Sequence, residues 1–355
     1  MTSQYSASYG RIQALSMSFL NKDFLNSLVK SEDLDAMIRK LESTWYGPEI
    51  ERAASMYSGP ELLEVAMNRH IVETNRIALQ VTPFSRKSAI QAYLSKWDIY
   101  NIELILSSKA IGRTITETEP FLVSSRNFPA GITAGNISHD EMKIILAQPT
   151  FEGVVNQLVK YKYGVILIQH LDTYQKTGNL SPMIADLMEF YYTNLLEMLK
   201  FYEGDEGNIR DLVRMQMDKK NLLTLMKAKE SNLDRELVKK HLIPGGNISM
   251  DEMLEVYGNS NISELSTRID EILKLGDLLE HFKKSNSLID FEVAIDKLIQ
   301  LRYVRKLKSI ALSIGSIFYF ILKAETEWDN VKRIAYGKRY GFSEERINSM
   351  LILEG

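Results

Sequence analysis

The 355-residue chain is 45% hydrophobic and 25% charged, a folded globular composition rather than a disordered one. Forty-three basic against 46 acidic residues leave a net charge of −3, which excludes the basic footprint of a nucleic-acid-binding chain. Cysteine is absent, so disulfides, thiolate catalysis and cysteine-held metal or iron–sulfur centres are excluded with it.

The chain opens on Met1-Thr2-Ser3-Gln4-Tyr5, without a basic-then-apolar run, so no secretory signal is expected. Residues 1–20 read as an N-terminal helix. From Asn21 onward the chain carries three copies of one helical unit, legible as four recurring landmarks. The first is a helix start. Asn21-Lys22-Asp23-Phe24-Leu25 keeps a capping side chain. Gly135-Asn136-Ile137-Ser138-His139-Asp140-Glu141-Met142 returns 111 residues later as Gly246-Asn247-Ile248-Ser249-Met250-Asp251-Glu252-Met253, identical at seven of eight positions. Both octets contain Ser-x-x-Glu, where the serine accepts from the N3 amide and the glutamate reaches back. Nine residues after Leu25, Met142 and Met253, three apolar i, i+3, i+7 stripes begin: Leu34-Met37-Leu41, Phe151-Val154-Leu158 and Ile262-Leu265-Ile269. That spacing is helical. Met67, Met188 and Ile295 then hold matching places in longer helices.

The last landmark is the sharpest. Asp98-x-x-Asn101-Ile102-x-x-Ile105-Leu106-x-x-Lys109 recurs as Asp218-x-x-Asn221-Leu222-x-x-Leu225-Met226-x-x-Lys229. It recurs again as Glu327-x-x-Asn330-Val331-x-x-Ile334-Ala335-x-x-Lys338. The three asparagines follow Met67, Met188 and Ile295 by 34, 33 and 35 residues. Period-two alternation is absent, so no substantial sheet is expected. The predicted fold is all-α, with repeats over 21–137, 138–248 and 249–355, each a helical bundle large enough for its own small core. Within a repeat the order reads as a short capped helix, two long helices and a Gly/Pro-rich link. The links are Phe128-Pro129-Ala130-Gly131 with Gly135, and Pro244-Gly245-Gly246. Ser343-Glu344-Glu345-Arg346-Ile347 looks like the opening of a fourth, truncated copy. The longest uncharged stretch, Ser309 to Leu322, is shorter than the roughly 20 residues a bilayer crossing needs and reads as a buried core helix. The basic stretch Arg302, Arg305, Lys306 and Lys308 reads as a solvated helix face.

Asp98, Asn101, Ile105 and Lys109 share one helix face by their spacing, and so do their counterparts. Polar groups on an otherwise apolar face need partners. Either each asparagine bonds a neighbouring backbone while the lysine stem packs and its ammonium reaches water, or three matching faces line a shared central space. The two readings are compatible.

Nothing calls for chemistry. His70, His139, His170, His241 and His281 lack the spacings of zincin or di-iron helices. Phosphate-binding loops and a Gly-x-Ser-x-Gly elbow are missing; Gly337-Lys338 continues into Arg339 within the repeat motif. Glu203-Gly204-Asp205-Glu206-Gly207 lacks the alternating ligands of an EF-hand and reads as a solvated turn. Met188, Phe190, Tyr191 and Tyr192 read as packing. No catalytic residue, cofactor or metal is expected.

With the repeat motif assembled, the chain resembles the C subunit of archaeal-type (A/V-type) rotary ATPases, equivalent to the d subunit of the eukaryotic vacuolar enzyme. The carrying residues are Trp97-Asp98-Ile99-Tyr100-Asn101-Ile102 with Lys109 and Gly112. At the C-terminus they are Glu327-Trp328-Asp329-Asn330-Val331-Lys332-Arg333-Ile334 with Gly337-Lys338 and Gly341. The resemblance covers essentially the whole chain. The middle copy departs from it, with Asn232 where the outer copies have Gly112 and Gly341, which leaves its local helix ending open. The resemblance implies a funnel of three similar helical domains, peripheral on the cytoplasmic side of the membrane. Its partners would be the central-shaft subunits at the wide mouth and the membrane proteolipid ring at the other face, with no direct membrane span. The role implied is non-catalytic torque transmission. A helical scaffold outside any ATPase is the alternative, and an all-helical enzyme would show itself by clustered inward-facing carboxylates.

Overall fold

The computed structural model describes residues 3–124, 135–200, 206–258 and 261–353. They form helices and turns, with no strand among the described residues. The link 128–131 and residues 203–205 of the acidic turn lie outside them. The first stretch holds α1 (Ser3–Ser16), α2 (Lys22–Val29), α3 (Leu34–Glu42), α4 (Gly47–Ala54), α5 (Gly59–Val81), α6 (Lys87–Leu94), α7 (Lys96–Ala110) and α8 (Ile115–Thr118). Next come α9 (His139–Leu146), α10 (Phe151–Leu158), α11 (Tyr163–Ile168), α12 (Leu171–Thr177), α13 (Ser181–Lys200), α14 (Glu206–Glu230) and α15 (Arg235–Lys239). The last set is α16 (Met250–Tyr257), α17 (Ile262–Leu273), α18 (Glu280–Ser285), α19 (Leu288–Ile299), α20 (Arg305–Ser309), α21 (Ile314–Arg339) and α22 (Glu344–Met350).

The helix starts follow the sequence signals. Asn21 Oδ1 accepts from Phe24 N at 2.8 Å, Ser138 and Glu141 make the reciprocal capping pair, and Ser249 accepts from Glu252 N at 3.2 Å. The apolar stripes face inward: Met37, Leu41, Val154, Leu158, Leu265 and Ile269 are fully buried. Each such side chain is worth about 1.5–3 kcal/mol of transfer free energy. The uncharged stretch is a buried helix only from Ile314 to Leu322. Ile310 to Ser313 turn first, with Leu312 in the left-handed region at φ 54°. Arg302, Arg305, Lys306 and Lys308 are exposed, on a π-turn (Gln300–Val304) and α20.

More short helices intervene than the repeat pattern indicates, and the core divides differently from the repeats. One buried cluster runs from Tyr5 to Ala324. A second joins Leu25–Met67 to Val293 and Val331–Ile352, so the two ends of the chain share one core. The reason lies in packing: α21 lies against α5 and docks α2 and α3, so the close of the last repeat covers the apolar stripes of the first.

The closing segment corrects the reading of Ser343 as a fourth copy. Thr114, Asp234 and Ser343 each stand 16 residues after the motif acid and each caps a short helix, α8, α15 and α22. Ser343 therefore ends the third repeat. Before each cap the long helix stops on the same turn. Gly112, Asn232 and Gly341 take left-handed φ values of 72°, 51° and 68°. The next amides, of Arg113, Leu233 and Phe342, bond back to Ser108, Ala228 and Gly337 carbonyls at 2.8–3.0 Å. Asparagine tolerates the left-handed region because its short polar side chain bonds locally, so the middle copy ends like the others.

Candidate functional site

The recurring polar face turns out to be a set of grips. Asn101 clamps the backbone of Val123: its Oδ1 accepts from Val123 N at 2.8 Å and its Nδ2 donates to Val123 O at 3.2 Å. Asn221 does the same to Ile243 at 2.7 and 2.8 Å, and Asn330 to Ile352 at 2.9 and 2.7 Å. Each partner lies 22 residues on. A side-chain amide carries one acceptor and one donor at the right separation to satisfy both groups of one extended residue. The segment after the closing helix of each repeat is thereby tied back to the body of the long helix before it.

The acids grip the backbone just ahead of the next helix start. Asp98 accepts from Asn136 N (2.8 Å), Ile137 N (3.1 Å) and the Tyr163 hydroxyl (2.9 Å). Asp218 accepts from Asn247 N (2.9 Å) and Ile248 N (3.2 Å). In both, the carboxylate sits where a Cβ on the preceding Gly135 or Gly246 would collide with it, which gives those glycines their reason. Glu327 has no later helix start to hold, and its partners lie around the first one. Leu20 N, just before the Asn21 cap, donates to its Oε2, while the Tyr46 hydroxyl and Trp45 Nε1 (3.1 Å) donate to Oε1. The grips thus close a circuit from the third repeat back to the first. Burial raises all three acids, Asp98 and Asp218 to about 6 and Glu327 to about 7, against the lowering effect of the donors.

The lysines hold the far ends of the same helices. Lys229 Nζ donates to Gly258 O at 2.9 Å, at the C-terminus of α16. Lys338 Nζ donates to Val29 O at 2.8 Å and to Ser31 O, at the C-terminus of α2. Lys109, half-buried at the matching place, makes no such bond to a described residue. Acid and lysine are 11 residues apart, about 16 Å along a helix, which spans the eight-residue short helix beside it, about 12 Å long, together with its caps. Negative charge at its N-terminus and positive at its C-terminus complement the helix dipole.

Two residues before each acid stand Lys96, Gln216 and Glu325, and there α7, α14 and α21 meet. Lys96 pairs with Glu325 at 2.6 Å, and the Tyr93 hydroxyl bonds both of them and Gln216. On one side of this junction lies solid apolar core, with Tyr93 edge-on to Phe318 at 5.1 Å and Leu212, Met215 and Phe320 buried. Beside the junction lies a recess whose lining includes Gln216, Lys219, Asp296, Glu325 and Asp329, and Tyr100, Lys220 and Asp329 stand four residues further along the three helices. Asp329 keeps 48% of its side chain exposed, yet burial raises its pKa; Lys220 is exposed, yet burial lowers its pKa. Carboxylates do cluster here, but each has a cation. Lys219 pairs with Glu292 (2.9 Å) and Asp296 (2.6 Å), and Arg333 with Asp296 (3.1 Å) and Asp329 (3.8 Å). No group among the described residues could hold a metal ion. Of the functional residues, Val123, Ile243 and Ile352 were findable from the constant spacing of 22. Lys96, Gln216 and Glu325 share no residue type and left no signal, and Trp45 and Tyr46 come from a different repeat altogether.

A family model described as ATP synthase (C/AC39) subunit matches residues 8–350. A protein of Thermoplasma volcanium, named as the C subunit of A-type ATP synthase, is 36% identical over 352 residues, 99% of each chain. One of the same name from Thermoplasma acidophilum is 34% identical over 354 residues, 100% of this chain and 99% of the relative. Another from Methanocaldococcus jannaschii is 25% identical over 346 residues, 96% of this chain and 84% of the relative.

Proposed function

The chain belongs to the family of ATP synthase (C/AC39) subunits, and from that premise we propose that it is the non-catalytic socket of the central rotor. It joins the central shaft to the proteolipid ring in the membrane and so couples ATP turnover to ion transport. Family membership sets aside the reading as a scaffold outside any ATPase. No helix among the described residues is long and apolar enough to cross a membrane. A socket of this kind sits peripherally on the cytoplasmic side, as part of the membrane complex.

One observation above all supports the reading: α7, α14 and α21 meet at Lys96, Gln216 and Glu325, with apolar core packed on one side and a recess beside them whose lining includes Gln216, Lys219, Asp296, Glu325 and Asp329. Three similar bundles around such an axis make a funnel, whose wide mouth takes the shaft end and whose closed base rests on the ring. Torque passes without loss only through parts that do not yield, and close-packed interiors deform little. The acid and lysine grips serve the same end, because they lock each repeat to its neighbour around the circuit.

The test is a reconstituted complex lacking this subunit. Its soluble head should still hydrolyse ATP while ion pumping into vesicles is lost, and adding back the purified protein should restore pumping. Pumping at full rate without the subunit would refute the assignment.

A further inference from the structure

The seam where the two ends of the chain meet holds a recess of about 480 Å³. The stretch leading into α2 lines it with Phe19, Leu20 and, within the helix, Leu25; α21 and the chain after α22 line it with Thr326, Ile352 and Leu353. Small-molecule sites favour such joins between units, and their volumes run from about 300 to 1,000 Å³. Two of the grips already described, Glu327 on Leu20 and Asn330 on Ile352, border this recess.

Its polar groups divide into committed and free. Glu327, the sole acid in the lining, already accepts from Leu20 N, Tyr46 and Trp45, and both polar atoms of Asn330 are taken by Ile352. Lys22 and Lys323 form no ion pair among the described residues, and Lys323 Nζ stands 4.9 Å from the centre of the Phe19 ring. Ser16 Oγ is buried in the same lining without a hydrogen-bond partner among the described residues. A buried hydroxyl left unpaired costs free energy that a bound acceptor would return. Two ammonium groups, one unmatched donor and an apolar lining call for a guest with an anionic head and a hydrocarbon body. A cation would meet no free carboxylate there, and a wholly polar anion would leave the apolar lining wet.

We propose that this recess binds a small amphiphilic anion, a carboxylate on a short hydrocarbon chain. Lys22 and Lys323 meet the head, Ser16 Oγ donates to it, and Phe19, Leu25 and Ile352 surround the chain. Such a guest touches residues from both ends of the protein, so its binding staples the seam that Glu327 closes. Anything that binds the folded chain and not the unfolded one raises its stability by mass action. The site stands apart from the socket reading and does not depend on it.

The experiment uses the full chain with decanoate as the probe, below its micelle concentration, read by calorimetry and by thermal unfolding. Decanoate should bind saturably at one site and raise the melting temperature. Acetate has the head without the chain and decanol the chain without the head, and each should bind at least about tenfold more weakly. The double variant Lys22→Gln, Lys323→Gln should weaken decanoate by about tenfold or more, on the scale of a charge-assisted hydrogen bond, and leave decanol unchanged. Leu353→Trp, which fills the recess from its edge, should abolish both decanoate binding and the rise in melting temperature that decanoate brings. Each variant is compared with its own unliganded melt, and the two variants probe the site by separate routes. Absence of saturable decanoate binding to the wild-type chain overturns the site. So does equal binding of decanoate and decanol, or undiminished decanoate affinity in either variant.

Discussion

Asn221 offers the most direct measure of what the recurring asparagine contributes. It is 2% exposed, and both its polar atoms are committed to Ile243, whose N–H and C=O lie 2.7 and 2.8 Å away. Asn221→Leu fills the space and provides neither bond. Two buried backbone groups lose their partners, at about 1–3 kcal/mol each. Leucine returns part of that by burying apolar surface, at about 25 cal/mol per Å². The net loss expected is on the order of 2 kcal/mol or more. Asn221→Ala loses the same bonds without that return and leaves a void, so it should be the worse of the two. Urea unfolding followed by circular dichroism reads the difference as a lower midpoint at unchanged slope. If either variant stayed within about 0.5 kcal/mol of wild type, as surface substitutions do, the residue would not be satisfying buried backbone and the clamp would be refuted.

Gly246→Ala drives a methyl group into the Asp218 carboxylate and should cost about 1–3 kcal/mol in thermal unfolding; an unchanged melting temperature would deny the close approach. Gly341→Ala puts a side chain at φ 68° and should cost about 1–2 kcal/mol, whereas Asn232→Gly at φ 51° should be near neutral, with both read by the same melt. For Glu327 the sign is set by burial, which raises its pKa to about 7 from an ordinary 4.5. The folded state holds the proton more tightly than the unfolded state, so the stability from this group is full below about pH 4 and is lost as pH rises through 7. The groups facing it are Lys323 from its own helix, Tyr46 and Trp45 from the turn before α4, and His70, which packs against both rings from α5. Glu327→Gln should flatten the fall in melting temperature between pH 5 and 7.5; parallel curves for variant and wild type would remove Glu327 as its cause.

The sequence by itself determined what depends on neighbours a few residues apart. Helix starts at Ser138 and Ser249 followed from a cap and its N3 glutamate, the start at Asn21 from the cap alone, and the inward stripes at Met37, Val154 and Leu265 from 3.6-residue periodicity. The acid, asparagine and lysine of each repeat could be placed on one face for the same reason. What that face grips was decided only by the tertiary structure. Ser343 shows the limit: its capping signal was plain, but whether it opened a new repeat or closed the old one depended on Asn330 holding Ile352. Likewise no local rule pairs Glu327 with Leu20, Trp45 and Tyr46 across the length of the chain, or merges the two chain ends into one core. The hydrophobic effect is non-directional, so a buried face in the sequence says that something covers it and not what. The choice of partner is made by shape and by the few directional bonds, and those come together only when distant segments meet.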